Sequence, residues 1–137
     1  MTMFHLAIPS HNLEKSKDFY EAVLNQKAGR AYKDYVVFNF FGHQLVCHLD
    51  PTGIDKEVKM YPRHFGIIFD TKETLLETYQ KAKESDASFY EDLFERFVDQ
   101  PGWHWSFFLI DPSNNLIEFK YYQYADQILN TSVNAAV

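Results

Sequence analysis

Three residues far apart in the chain, His5, His64 and Glu118, have the types that hold a divalent ion together. Two neutral imidazoles and one carboxylate bind such an ion yet leave it Lewis-acidic, with positions open for substrate. Each lies in a run with strand character, where successive side chains point to opposite faces. In residues 3–8, Phe4, Leu6 and Ile8 make the packed face and His5 and Ala7 the other. In 63–69, Phe65, Ile67 and Phe69 pack, and His64, Gly66 and Ile68 face away. In 115–121, Ile117 and Phe119 pack, and Leu116, Glu118 and Lys120 face away. All three candidates therefore stand opposite the core. Singly, each has a bland reading as a surface histidine or a solvated charge.

Further candidates are less constrained. In 44–49, Leu45, Cys47 and Leu49 read as packed, and Gln44, Val46 and His48 as open. His48 then stands about where Glu118 stands in the second half, as a ligand or acid/base, while Cys47 is an inert core thiol. An ungapped overlay of Gln44–Cys47 on Asn115–Glu118 would instead set Cys47 opposite Glu118. Register slips of one residue exchange the faces, so alternation is the better guide. Arg96 is a candidate for a substrate carboxylate, with a surface ion pair as the competing reading. Tyr35, Asn39, Trp105 and Phe107 are candidate pocket walls. His11 and His43 are expected to be solvated, and His104 to line the pocket mouth or stack in a loop.

The elements that must position these groups come in two similar runs. Residues 3–8 form a strand stopped by Pro9; Asn12 caps a helix over about 13–24; strands follow near 27–32, 35–41 and 44–49. Gly42-His43 turns the last pair, and 51–62 make a polar connector. The order then repeats: a strand over 63–69, an Asp70-Thr71 cap, a helix over about 72–84, strands near 88–91 or 94–98, then 103–110 and 115–121. Leu75, Leu76, Tyr79 and Ala82 give the second helix its apolar face. His5-Leu6-Ala7-Ile8 overlays His64-Phe65-Gly66-Ile67 at an offset of 59 residues. The expected fold is α+β: two βαβββ modules, about 1–50 and 63–123 of a single 1–137 domain. They form a curved, mostly antiparallel sheet around a metal-binding cavity. The tail from about Asp126 is small and polar and is expected to fray.

Composition narrows the partners. The 137 residues include thirteen Phe, nine Tyr and two Trp, too aromatic for a disordered chain. Nineteen acids against thirteen bases, net charge −6, argue against nucleic acid and against anionic membrane surfaces. No apolar run is long enough to span a bilayer. A single cysteine and an N-terminus without signal-peptide character make the cytoplasm the expected compartment.

Phe4-His5-Leu6-Ala7-Ile8-Pro9, with Asp18-Phe19-Tyr20 and Val23-Leu24, resembles the first strand and helix of the vicinal oxygen chelate superfamily. That superfamily includes glyoxalase I, bleomycin-resistance proteins, methylmalonyl-CoA epimerase and extradiol dioxygenases. Asp111-Pro112-Ser113-Asn114-Asn115-Leu116-Ile117-Glu118-Phe119 resembles its D-P-x-G-N-x-[IL]-E-[FL] ending. Asn114 replaces the usual Gly and tolerates the left-handed turn. Phe38–Val46, Pro62–Gly66, Arg96-Phe97 and Pro101-Gly102 are similar to a small single-domain branch described as predicted extradiol-type dioxygenases. The resemblance implies paired βαβββ modules and a divalent metal on His5, His64 and Glu118, with Fe2+ favoured over Zn2+, Mn2+ or Ni2+. It implies a small-molecule substrate and leaves open pairing of modules within one chain or between two copies, with a homodimer among the expected states.

Three functions compete. The first is dioxygenase-like chemistry on a substrate that chelates the metal through neighbouring oxygens, with His48 as acid/base. The second is a glyoxalase-like isomerase, lyase or epimerase, weakened because a second carboxylate in the first half is missing. The third is a bleomycin-resistance-type binder without catalysis, for which the retained His5, His64 and Glu118 would have no purpose.

Overall fold

The computed structural model describes residues 1–130; the expected frayed tail beyond Asn130 lies outside them. The first run gives β1 (His5–Ser10), α1 (Leu13–Asp18), a π-helical segment (Phe19–Val23), β2 (Ala28–Ala31), β3 (Tyr35–Phe40) and β4 (His43–Leu49). The second gives β5 (Phe65–Ile68), α2 (Lys72–Glu84), β6 (Ser88–Arg96), β7 (His104–Ile110) and β8 (Leu116–Tyr122), then a 3-10 turn at Ala125–Gln127. The fold is α+β, two βαβββ modules. They make two four-stranded open sheets, ordered β1-β4-β3-β2 and β5-β8-β7-β6. Four of the six strand pairings are antiparallel; β1–β4 and β5–β8 are parallel. Backbone pairing does not continue from β1 to β5, so the sheets are separate and each ends on an open edge.

Local chemistry accounts for the boundaries. Asn12 accepts from the Lys15 amide at 3.1 Å and Thr71 from the Thr74 amide at 3.2 Å, capping both helices. β1 runs through Pro9 to Ser10, past the expected stop. An edge strand needs no donor on its open side, so a proline fits there. The β3–β4 hairpin turns at Phe41-Gly42, both with positive φ (52° and 89°), not at Gly42-His43. Asn114 adopts φ 62°, so the β7–β8 turn keeps its left-handed residue without glycine.

One apolar cluster joins the modules. Phe41, in the first, meets Phe69 and Phe119 of the second at ring distances of 5.4 and 6.1 Å, and Phe40 meets Phe65 at 5.9 Å. Phe107, Phe119, Leu75 and Ile117 are fully buried, each worth about 1.5–3 kcal/mol of transfer free energy. Polar links cross the same seam. The Tyr20 hydroxyl donates to Asp111 Oδ2 at 2.8 Å, and Asn115 Nδ2 donates to the Pro9 carbonyl at 3.0 Å. His11, expected to be solvated, is half-buried there, and its amide donates to Ser113 Oγ at 2.9 Å.

Candidate metal centre

The parallel β5–β8 pair sets Gly66 beside Glu118. A Cβ on Gly66 would fall 2.7 Å from the Glu118 carbonyl carbon and 3.0 Å from its nitrogen, so only glycine lets these backbones approach so closely. This brings His64, just before β5, onto Glu118: Nε2 and Oε1 are 3.2 Å apart. His64 Nδ1 lies 2.6 Å from the Met60 carbonyl, which can only accept, so Nδ1 carries the proton. In the neutral ring the Nε2 lone pair then faces a carboxylate oxygen. Two such donors stay together only with a cation between them, a proton or a metal ion. At 3.2 Å both reach one ion through bonds of about 2.0–2.2 Å. Ser106 Oγ donates to Glu118 Oε2 at 2.9 Å, and Lys120 Nζ stands 3.9 Å from the same oxygen. Outer partners of this kind orient metal ligands. The residues present therefore fit a divalent ion in two of its protein positions.

His5 is not with them. It stands exposed on the first sheet, with Nδ1 2.7 Å from Gln44 Oε1. Among the described residues no three His, Cys, Asp or Glu side chains lie close enough to hold one ion. Alternation put His5 on the open face correctly, but β1 and β5 belong to different sheets.

The other expected residues are scattered. Val46 pairs with Ala7 as Glu118 pairs with Gly66, so Val46, not His48, occupies the matching position. His48 is exposed, 5.5 Å from the Tyr35 ring, and matches Lys120. Four residues of strand, about 13 Å, separate it from Gln44 and His5, outside contact with a group held at His5. Cys47 is fully buried, and burial pushes its thiol up to about 12. Asn39 Oδ1 accepts from the Gly42 amide at 2.8 Å within its own hairpin. Trp105 is buried on the core side of β7, stacked 4.9 Å from Trp103 with Lys72 Nζ 4.2 Å above it. Alternation along β7 sends Ser106 to the Glu118 face and Trp105 and Phe107 to the other, so neither ring walls this site. Arg96 ends β6 opposite His104 and shares the Glu118 face.

Ser106, Lys120 and Tyr122 share the Glu118 face and are absent from the expected set, whereas His104, expected at the pocket mouth or in a loop, lies in β7 on that face. The signal for the first three was present: a lone serine in Trp105-Ser106-Phe107-Phe108, and polar residues at every second position of β8. His104 is buried, and burial first, then Lys120 and Arg96, hold its pKa below the ordinary value, against the Gly102 carbonyl and Glu118.

A family model described as the Glyoxalase/Bleomycin resistance protein/Dioxygenase superfamily matches residues 2–119. A glyoxalase/bleomycin resistance protein/dioxygenase structure from Alicyclobacillus acidocaldarius is 49% identical, covering 93% of this chain and 96% of that one, with TM-score 0.89. Lactoylglutathione lyase from Agrobacterium tumefaciens is 16% identical over 88% of this chain and 92% of that one, TM-score 0.67. The genomically encoded fosfomycin resistance protein FosX from Listeria monocytogenes is also 16% identical, over 93% and 98%, TM-score 0.70. The last two share the fold. No curated protein matches the chain. No helix among the described residues is long and apolar enough to cross a membrane.

Proposed function

Because the chain belongs to the glyoxalase/bleomycin resistance protein/dioxygenase superfamily, we propose that it is a divalent-metal-dependent enzyme with dioxygenase-like chemistry. Its substrate is a small molecule presenting two neighbouring oxygens. The ion is held by His64 and Glu118 of one copy and His5 of a second. The observation that carries this reading is the His64–Glu118 pair, with Nε2 and Oε1 3.2 Å apart and Nδ1 held on the Met60 carbonyl.

The second copy is supported by three features. His5 faces outward on a sheet apart from His64, and β1 and β5 both have unpaired edges. Superfamily members usually bind a divalent metal and often form dimers.

When bound, the ion would supply a Lewis acid and, as Fe(II), a relay passing electrons from the substrate to O2. The chain's own groups do the rest. Met60 fixes the His64 tautomer, and Ser106 fixes the rotation of Glu118, leaving Oε1 free. Phe108, 5.5 Å from the His64 ring, gives the pair an apolar floor that thins the water around it. Val46, where a second carboxylate would stand for moving a proton α to a carbonyl, weighs against an isomerase.

Metal content after anaerobic purification, with oxygen uptake on a panel of catechols, tests the chemistry. Retained iron and uptake are expected. No uptake, with turnover of a hemithioacetal or a 2-oxo thioester, would replace this reading with the isomerase one. Mixing His5→Ala with Glu118→Gln tests the sharing: random exchange should restore about a quarter of the sites, since each mixed dimer holds one intact set. No recovery would mean that each site is built within one chain.

A further inference from the structure

Beside the His64–Glu118 pair runs a row of cations and rings. The register puts Lys120 opposite Ser106, Tyr122 opposite His104, and His104 opposite Arg96, all on the Glu118 face. Lys120 Nζ lies 4.9 Å from the Tyr122 ring, which lies 5.1 Å from the His104 ring. His104 is 6.0 Å from Phe97, and the Arg96 guanidinium carbon is 5.2 Å from that ring. We infer that this row binds an oxyanion arm of the substrate, carboxylate or phosphoryl, between Lys120 and Arg96, so that the substrate is an anion with its chelating oxygens at the other end.

The assignment rests on the metal reading above and deepens it. In a chain of net charge −6, two cations sit here without a close carboxylate of their own. Among the described residues Arg96 has no ion pair, and the Lys120 partner is Glu118 at a long 3.9 Å. Glu118 committed to a divalent ion leaves Lys120 free for another anion. His104 adds no charge: its Nδ1 donates to the Gly102 carbonyl at 2.9 Å, and burial favours the neutral ring. Its role, with Tyr122 and Phe97, is to present an apolar wall that keeps water from screening the two cations.

The test is anaerobic titration calorimetry of the full chain, Fe(II)-loaded and metal-free. The probes are 3,4-dihydroxybenzoate, 3,4-dihydroxyphenylphosphonate and catechol. On the loaded protein the acid that fits should bind roughly tenfold or more tighter than catechol, as for a hydrogen bond to a charged group. Which acid gains more identifies the oxyanion. Arg96→Gln, remote from Glu118, should erase most of that preference and leave catechol affinity unchanged; Lys120→Met should also erase the preference. Equal affinity for acids and catechol, or a preference that survives both substitutions, overturns the inference. Failure of the metal reading looks different: no iron is retained, yet metal-free protein still prefers an acid in an Arg96-dependent way.

Discussion

Tyr20→Phe isolates the polar link between the modules. The ring, fully buried, would keep its contacts with Phe19 at 4.9 Å and Phe38 at 5.1 Å, so no cavity opens. Only the hydroxyl that donates to Asp111 Oδ2 is lost. Asp111, 3% exposed, retains three donors: Asn115 Nδ2 on Oδ2 and the Ser113 and Asn115 amides on Oδ1. Removing one donor from a buried carboxylate costs about 2 kcal/mol. For a chain of this size that lowers Tm by about 6–8 °C. The pH dependence fixes the cause. Burial raises the Asp111 pKa above its ordinary 3.8, and its hydrogen bonds, Tyr20 included, pull it back down. A raised carboxylate contributes stability below 3.8 that is lost as pH rises through the folded value. Tyr20 reduces that loss by favouring the ionised form. The penalty of Tyr20→Phe should therefore be full at pH 7 and shrink as Asp111 becomes protonated in acid. Urea unfolding of both proteins across that range, with unchanged m-values, measures it. A penalty below about 0.5 kcal/mol, or one that stays constant with pH, refutes the argument.

Glu118→Gln should abolish metal retention on dialysis while preserving the fold, and Ser106→Ala should weaken retention about 10-fold by freeing the carboxylate to rotate, both read by elemental analysis. Gly66→Ala should cost at least about 3 kcal/mol or prevent folding, because the new methyl meets Glu118 backbone that cannot move aside; a normal urea midpoint would contradict the close approach. Cys47 should be inert to a thiol reagent in native protein and react only on unfolding. Its thiol is raised from 9.0 to about 12, so its stabilising effect is present below 9 and lost as pH rises through 12. Cys47→Ala should flatten the alkaline decline in the urea midpoint.

Much of this architecture was legible because it is local. Leu75, Tyr79 and Ala82 at helical spacing define α2, and the repeated strand–helix order gives both modules. The first helix was read as one piece over 13–24; it changes to π-helical turns at Phe19, where no glycine or proline announces a break. Face alternation sent His5, His64, Glu118 and Cys47 to the right sides. It cannot say which sheet a strand joins, so it leaves open whether His5 meets Glu118 within one chain or between two. His48 was misplaced by two residues because its register depends on where β1 meets β4, a long-range pairing with no sequence mark. Trp105 was read as a wall from its type, although its own alternation with Ser106 points it into the core.

Val46 gives the duplicated halves unequal electrical weight. At the position where the second module carries a carboxylate, the first carries an isopropyl group. In the proposed centre, two imidazoles and a single carboxylate around a divalent cation would leave one uncompensated positive charge. A pair of carboxylates would leave none. In the proposed centre that charge would be met by an anionic molecule bound to the ion.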